Sequence, residues 1–254
     1  YLLNTYILLL IDGGQLSLAL SYSILPLTFS FWRQSTSSPS RFSAFYFSLS
    51  FLTLTILDMR FAYLLCFLLG FDTLFNLKSI INIFRTTLIT SFVLIGFHFY
   101  WIWPLLHAQQ SGLPPSYTSV TQLDFLNFTS LGHAILFLQP HWPQNIFGQL
   151  TPLRLEFVLL PLLAFLAPLL ISKNRHVAFW FIFSLISIFL AKGSQEPLSQ
   201  IYRWAFNYFP GFNLFRDSTK FFSLAALSYS VLISFTVSAL SRRFRPLPWV
   251  ISFY

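Results

Sequence analysis

The chain has 254 residues, of which 56% are hydrophobic and 20% aromatic, while only 9% are charged, against roughly 25% charged residues in an ordinary soluble domain. So little polar surface does not clothe a soluble sphere of this size, and the composition predicts an integral membrane protein. The formal charge of +8 falls in short connections between apolar runs, which assigns it to membrane topology and not to nucleic acid.

In chain order, the start "YLLNTYILLLIDGG" has no initiator Met and no basic region before its apolar residues, and the one methionine is Met59. This reads as a fragment of a longer protein lacking its N-terminal region. Next, "IDGGQLSLALSYSILPL" places Asp12 and Gln15 just outside an apolar segment, Gln15 to Trp32, which Pro26 would kink. Asp12 has two readings: an acid at a helix N-terminus, or an outward carboxylate that helps hold a cation or a sugar hydroxyl. The tract "QSTSSPS" reads as a short linker.

The stretch "SAFYFSLSFLTLTILDMRFAYLLCFLLGFDTLF" carries Asp58 and Arg60 in its middle. One long helix would bury that pair in hydrocarbon, where charges cost several kcal/mol; two shorter helices turning at Asp58-Met59-Arg60 would not. The turn also gathers Arg33, Arg41, Lys78, Arg85, Lys173, Arg175, Arg242, Arg243 and Arg245 on one side, as the positive-inside rule prefers. The single cysteine, Cys66, lies in an apolar run and forms no internal disulfide.

Further spans are Phe84 to Leu106, Phe157 to Ile171, Val177 to Ala191 and Phe221 to Leu240, each apolar over most of a bilayer's width. The first ends in "HFYWIWPLLH", an aromatic belt with a proline stop. The sum is an all-α, multi-pass transmembrane bundle of about seven segments forming a single membrane domain, with "SRRFRPLPWV" at a cytoplasmic C-terminus.

On the opposite face lie "IDGGQ", the loop from His107 to about Arg154, and the stretch from Ala191 to Phe222. The loop offers Asp124, His133, His141 and Gln144 among aromatic residues, a mixture suited to a sugar or lipid headgroup, or an interfacial loop with Trp142 at headgroup depth. No further ligand is spaced to make His133 and His141 a metal site. Asn127-Phe128-Thr129 matches a glycosylation acceptor.

The stretch "AKGSQEPLSQIYRWAFNYFPGFNLFRDSTKFF" gathers Lys192, Glu196, Arg203, Arg216, Asp217 and Lys220. Leu198, Ile201, Tyr202, Ala205 and Phe209 stand near helical spacing, which predicts an amphipathic surface helix, broken by "PGF". Asp217, Ser218 or Thr219 then caps the last span. Arg216 and Lys220, four apart beside a helix start, suit a phosphate; equally, they suit snorkelling to lipid phosphate.

The pattern "AKG…PL..IY…F…FPGFNLFRDSTKFF" resembles the late loop of large bacterial membrane proteins of the YfhO-like and arabinofuranosyltransferase groups, with a KG, a PGF and an FR-x-x-x-KF before a membrane helix. "GGQLSLALSYSILPL" and "FYWIWPLL" are similar to further segments of the same proteins, so the likeness covers most of the chain. These are GT-C class glycosyltransferases. The resemblance implies sugar transfer from a polyprenyl-phosphate donor to an extracytoplasmic glycan or lipid acceptor in the bacterial inner membrane. It implies no resident cofactor, although a divalent cation is compatible with it. The general base of that class is a carboxylate after the first helix, upstream of this chain, so no catalytic residue is carried over. Lys192, Arg216 and Lys220 match the late-loop pattern. Two rivals stand beside this reading. A transporter or flippase would need ionisable residues inside several spans and inverted repeats; a non-catalytic scaffold would need only the fold.

Overall fold

The computed structural model describes residues 1, 4–38, 40–107, 123–124, 126–137 and 155–243. Every element among them is helical: α1 (Thr5–Asp12), α2 (Leu16–Ser37), α3 (Arg41–Leu57), α4 (Met59–Phe75), α5 (Ile80–His107), α6 (Leu131–Ile135), α7 (Leu159–Leu170), α8 (Arg175–Ala191), α9 (Ser199–Tyr208) and α10 (Phe222–Arg243), with 3₁₀ turns between them. The chain divides into two compact units. One comprises Tyr1–Gly13 with Val120–Tyr254, and the other Gly14–Ser119.

Among the described residues, two segments are long and apolar enough to cross a membrane, Leu77–Pro104 and Ser218–Arg243, while Phe42–Leu57, Leu155–Leu170 and Arg175–Ala191 are shorter apolar helices. Membrane association therefore rests on two helices, not on seven confirmed spans.

The second unit is built from α2 to α5. Ser40 and Ser43 form a reciprocal capping box that starts α3, satisfying backbone donors that have no intrahelical partner. The chain then breaks at Asp58, whose extended backbone ends α3 and whose Oδ1 accepts from Arg60 N at 2.8 Å to start α4. The direction of each helix follows from who meets whom. Trp32 packs on Phe47, and both Trp32 and Arg33 bond to Asp72, so α4 returns to the end where α3 began. Ser48 meets Thr90 and Thr55 meets His98, so α3 and α5 run parallel. The result is an up-down-up-down bundle. The turn at Asp58 exists as the charge argument required, and it is closed by an Arg60–Asp58 ion pair of 2.7 Å.

Pro26 lies inside α2, which tolerates it. Two local expectations change. "QSTSSPS" is helical as far as Ser37: Ser35 and Thr36 hydroxyls bond back to Trp32 O, keeping the chain wound. Pro104 does not stop α5, which continues to His107.

In the first unit, α10 packs on α7 and α8. Its interior is aromatic, with Phe165 and Phe137 against Tyr229 and Phe222 against Tyr6. The end of α8 meets the turn before α10, where Ser218 Oγ donates to Ala191 O at 2.8 Å. Lys173 and Arg175 at the start of α8, and Arg242 and Arg243 at the end of α10, therefore lie at the far end of this unit.

Candidate functional site

The charged stretch folds into a polar knot where α8 ends and α10 begins. Asn174 caps the start of α8 through His176 N. At the other end Lys192 closes the helix, a position where the helix dipole favours a cation. Gly193 follows at φ +63, in the left-handed region that a Cβ disfavours.

Lys192 is fully buried. Its ammonium donates to Gln195 O at 2.6 Å and to Gly193 O at 3.4 Å, and stands 4.5 Å from the centroid of Phe189. Burial pushes its pKa down, while nearby Glu196 pulls the other way.

Lys220 is 2% exposed and pairs with Asp217 at 2.7 Å. Burial opposes ionisation of Asp217, but the Lys220 charge and hydrogen bond, with further bonds from Thr219 Oγ1 and N, outweigh it and hold the carboxyl below its ordinary range. Asp217 thereby caps the 3₁₀ turn Ser218–Phe221 that leads into α10.

Asn127 joins the two halves of the knot. Its Nδ2 donates to Leu123 O at 2.6 Å and to Arg216 O at 2.8 Å, and its own carbonyl accepts from Gln195 Nε2. At the rim, Asp124 pairs with Arg203 at 3.0 Å and accepts from Ser194 Oγ at 2.9 Å. Tyr202 O–H donates to Phe215 O at 2.6 Å. Burial, with Asp217 nearby, raises its phenol well above the ordinary value.

α9 is amphipathic, but its buried face is Ser199, Tyr202 and Phe206. Leu198, Ile201 and Phe209, which the spacing put on the apolar face of a surface helix, are exposed. The aromatic stack of Tyr202, Phe212, Phe215 and Phe221 decides the orientation, and a spacing count does not see it.

The expected site residues are placed as follows. Lys192 and Lys220 come together in the knot, and Arg216 is half-buried at its edge, its carbonyl held by Asn127. His133 is half-buried and bonds through Nδ1 to Ser130 Oγ at 2.7 Å, so it serves the start of α6. Asp12 is exposed and ends α1 rather than beginning a helix, which removes the helix N-terminal account of it. Gln15 precedes α2 without a side-chain capping bond. His141 lies outside the described residues, as do Trp142, Gln144 and Arg245. Among the described residues, no three His, Cys, Asp or Glu side chains gather as a metal set.

Asn127, Gly193, Gln195 and Ser218 were not singled out by sequence reasoning as site residues. Asn127 was visible only as a glycosylation match, whereas here its amide is fully buried. No protein-family model, curated protein or solved structure matches the chain.

Proposed function

We propose that this chain is part of a GT-C-like membrane glycosyltransferase, which moves a sugar from a polyprenyl-phosphate donor to an acceptor on the outer face of a bacterial inner membrane. In this reading α2, α3, α4, α5, α7, α8 and α10 are its seven membrane segments. The knot then faces outward and the basic ends face the cytoplasm.

One observation carries the reading: Lys192 is completely buried beside a helix end and donates to carbonyls, not to a carboxylate. A buried cation is costly, and a lysine near a helix end ordinarily snorkels to the interface, so one kept buried instead points to a role. A phosphate seated there gains negative charge as its bond to the sugar breaks, and a positioned cation stabilises that charge in the transition state. Arg216 supplies a second cation at the edge. Lys220 is already matched by Asp217, so its part is to hold the turn that presents Arg216.

The test is transfer of label from a polyprenyl-phosphate sugar by the full-length protein in proteoliposomes. Lys192→Met and Arg216→Gln are each expected to reduce transfer at least tenfold, with Lys192→Arg retaining part of it. Unchanged transfer in both neutral variants, or no transfer by the parent protein from any polyprenyl-linked donor, overturns the reading.

A further inference from the structure

Inside the second unit an apolar groove of about 550 Å³ runs between α3, α4 and α5. Phe51, Tyr63, Leu69 and Leu94 are among its walls, and Cys66 opens onto it. Gly70 forms part of its lining, and a Cβ built there meets nothing within 4 Å. The outer surface of α5 is unusually apolar, with Phe92 82% and Phe84 68% exposed.

We propose that this groove holds one hydrocarbon chain of an anionic phospholipid, with the headgroup at the end marked by Arg33 and Arg85. The proposal uses the membrane setting but not the glycosyl transfer.

Size selects the occupant. The groove follows α4 from Met59 to Thr73, a step of 73 − 59 residues, which at about 1.5 Å each gives a length of about 21 Å. Spreading the groove's volume over that length leaves a mean cross-section of about 26 Å². A helix about 10 Å across needs about 80 Å², so an extra protein helix does not fit, whereas a single alkyl chain does. The length also exceeds the roughly 15 Å that one leaflet of a roughly 30 Å hydrocarbon core allots to a chain.

Charge selects the direction. At one end Asp72 is already engaged by Trp32 Nε1, Arg33 Nη1 and Asn76 Nδ2. Arg33 spends Nη1 on that carboxylate and keeps its side chain 32% exposed, while Lys78 and Arg85 are exposed close by in the chain. Basic groups therefore exceed acidic ones there, and a guanidinium with donors to spare is a good phosphate partner. At the other end Asp58 and Arg60 neutralise each other. There Trp101 N–H donates to His98 Nδ1, leaving Nε2–H for Thr55 Oγ1, whose own hydroxyl donates to Leu52 O. Among the described residues, the guanidinium at that end, Arg60, is already engaged by Asp58 through both Nε and Nη2.

The sole cysteine makes the groove directly readable. The full chain is placed in nanodiscs of phosphatidylcholine with and without phosphatidylglycerol, and alkylation of Cys66 by N-ethylmaleimide is timed. Native mass spectrometry then counts the phospholipids retained on release. Phosphatidylglycerol is expected to slow alkylation about tenfold and to remain bound as at least one molecule. Arg85→Gln, an exposed change, is expected to abolish the difference between the two lipids. Gly70→Phe fills the groove and is expected to release the bound lipid while melting like the parent. Equal behaviour of the two lipids, undiminished retention by G70F, or ready Cys66–Cys66 cross-linking between copies overturns the proposal.

Discussion

A methyl group on Gly193 would lie 1.8 Å from Asn127 Oδ1 and 2.7 Å from Ser218 Oγ, and Gly193 already holds φ +63. Neither obstacle yields easily, because Asn127 is pinned through Nδ2 to Leu123 O and Arg216 O. The left-handed backbone alone costs an L-residue about 1–2 kcal/mol, and the clash adds to it. Gly193→Ala is therefore expected to destabilise the full chain by at least about 3 kcal/mol in detergent melts. Gly96→Ala, inside α5 where a Cβ meets open space, should instead stabilise by about 0.5–1 kcal/mol. A G193A protein that melts with the parent would show that the contact is not tight.

The Lys220–Asp217 pair makes stability depend on acid. The Asp217 carboxyl is held below its ordinary value of 3.8. The folded state therefore favours the ionised form, and that stabilisation is present above the ordinary value and lost as pH falls through it toward the folded one. Asp217→Asn strands a buried ammonium and should cost about 3–5 kcal/mol at neutral pH. Melts taken from pH 7 to pH 3 should show the parent losing more stability than D217N, so that the two converge. Adding Lys220→Met to D217N should restore much of the loss, and a double variant no better than the single one would mean that the pair is not coupled.

How much of this was legible in advance follows from which physics each feature uses. The helices of α5 and α10, the turn at Asp58 and the clustering of Arg33, Lys78 and Arg85 at one end of their unit depend on apolar runs and charge cost, which are sequence properties. The knot's charged members were legible too, because charge is conspicuous in a chain this apolar. Asn127 and Gln195 were not, since each acts by meeting backbone groups at least 68 residues away, and nothing local marks such a partner. That Tyr202 is the apolar residue of α9 turned inward was not legible for the same reason: it is buried by aromatic rings beyond the helix, not by its neighbours in it. The expectation of seven spans counted apolar residues, whereas among the described residues two helices are both long and apolar enough to cross a membrane.

Two acidic residues in different settings should respond oppositely to neutralisation. Asp72 is 2% exposed and accepts from Trp32, Arg33 and Asn76 at 2.8–2.9 Å. Asp72→Leu leaves those donors unmet and should cost about 2–4 kcal/mol, at the upper part of the range for buried polar groups losing a charged partner. Asp12 is exposed in the last turn of α1, where the dipole disfavours an anion, so Asp12→Asn should stabilise by about 0.3 kcal/mol. Chemical unfolding of the full chain in mixed micelles reads both. If D12N lost stability, Asp12 would be holding a partner that its exposure does not reveal.

Thr129 is the sharpest probe of whether the knot has an occupant. Among the described residues its Oγ1 is buried with no hydrogen-bond partner, two residues from Asn127, which is also fully buried. An unmet buried hydroxyl costs about 1–3 kcal/mol, and replacing it with an apolar group of the same shape removes that cost. Thr129→Val should therefore raise stability by about 1 kcal/mol. Asn127→Asp, equally isosteric, should do the reverse, because it replaces two donated bonds with a carboxylate facing the carbonyls of Leu123 and Arg216, and a loss above about 3 kcal/mol is expected. Both are measured in thermal melts of the full chain without added lipid. If T129V lost stability instead, the hydroxyl would be holding a partner outside the described residues. Repeating the melt with a polyprenyl-phosphate sugar tests for an occupant, because stabilisation by ligand falls in a variant that no longer holds it.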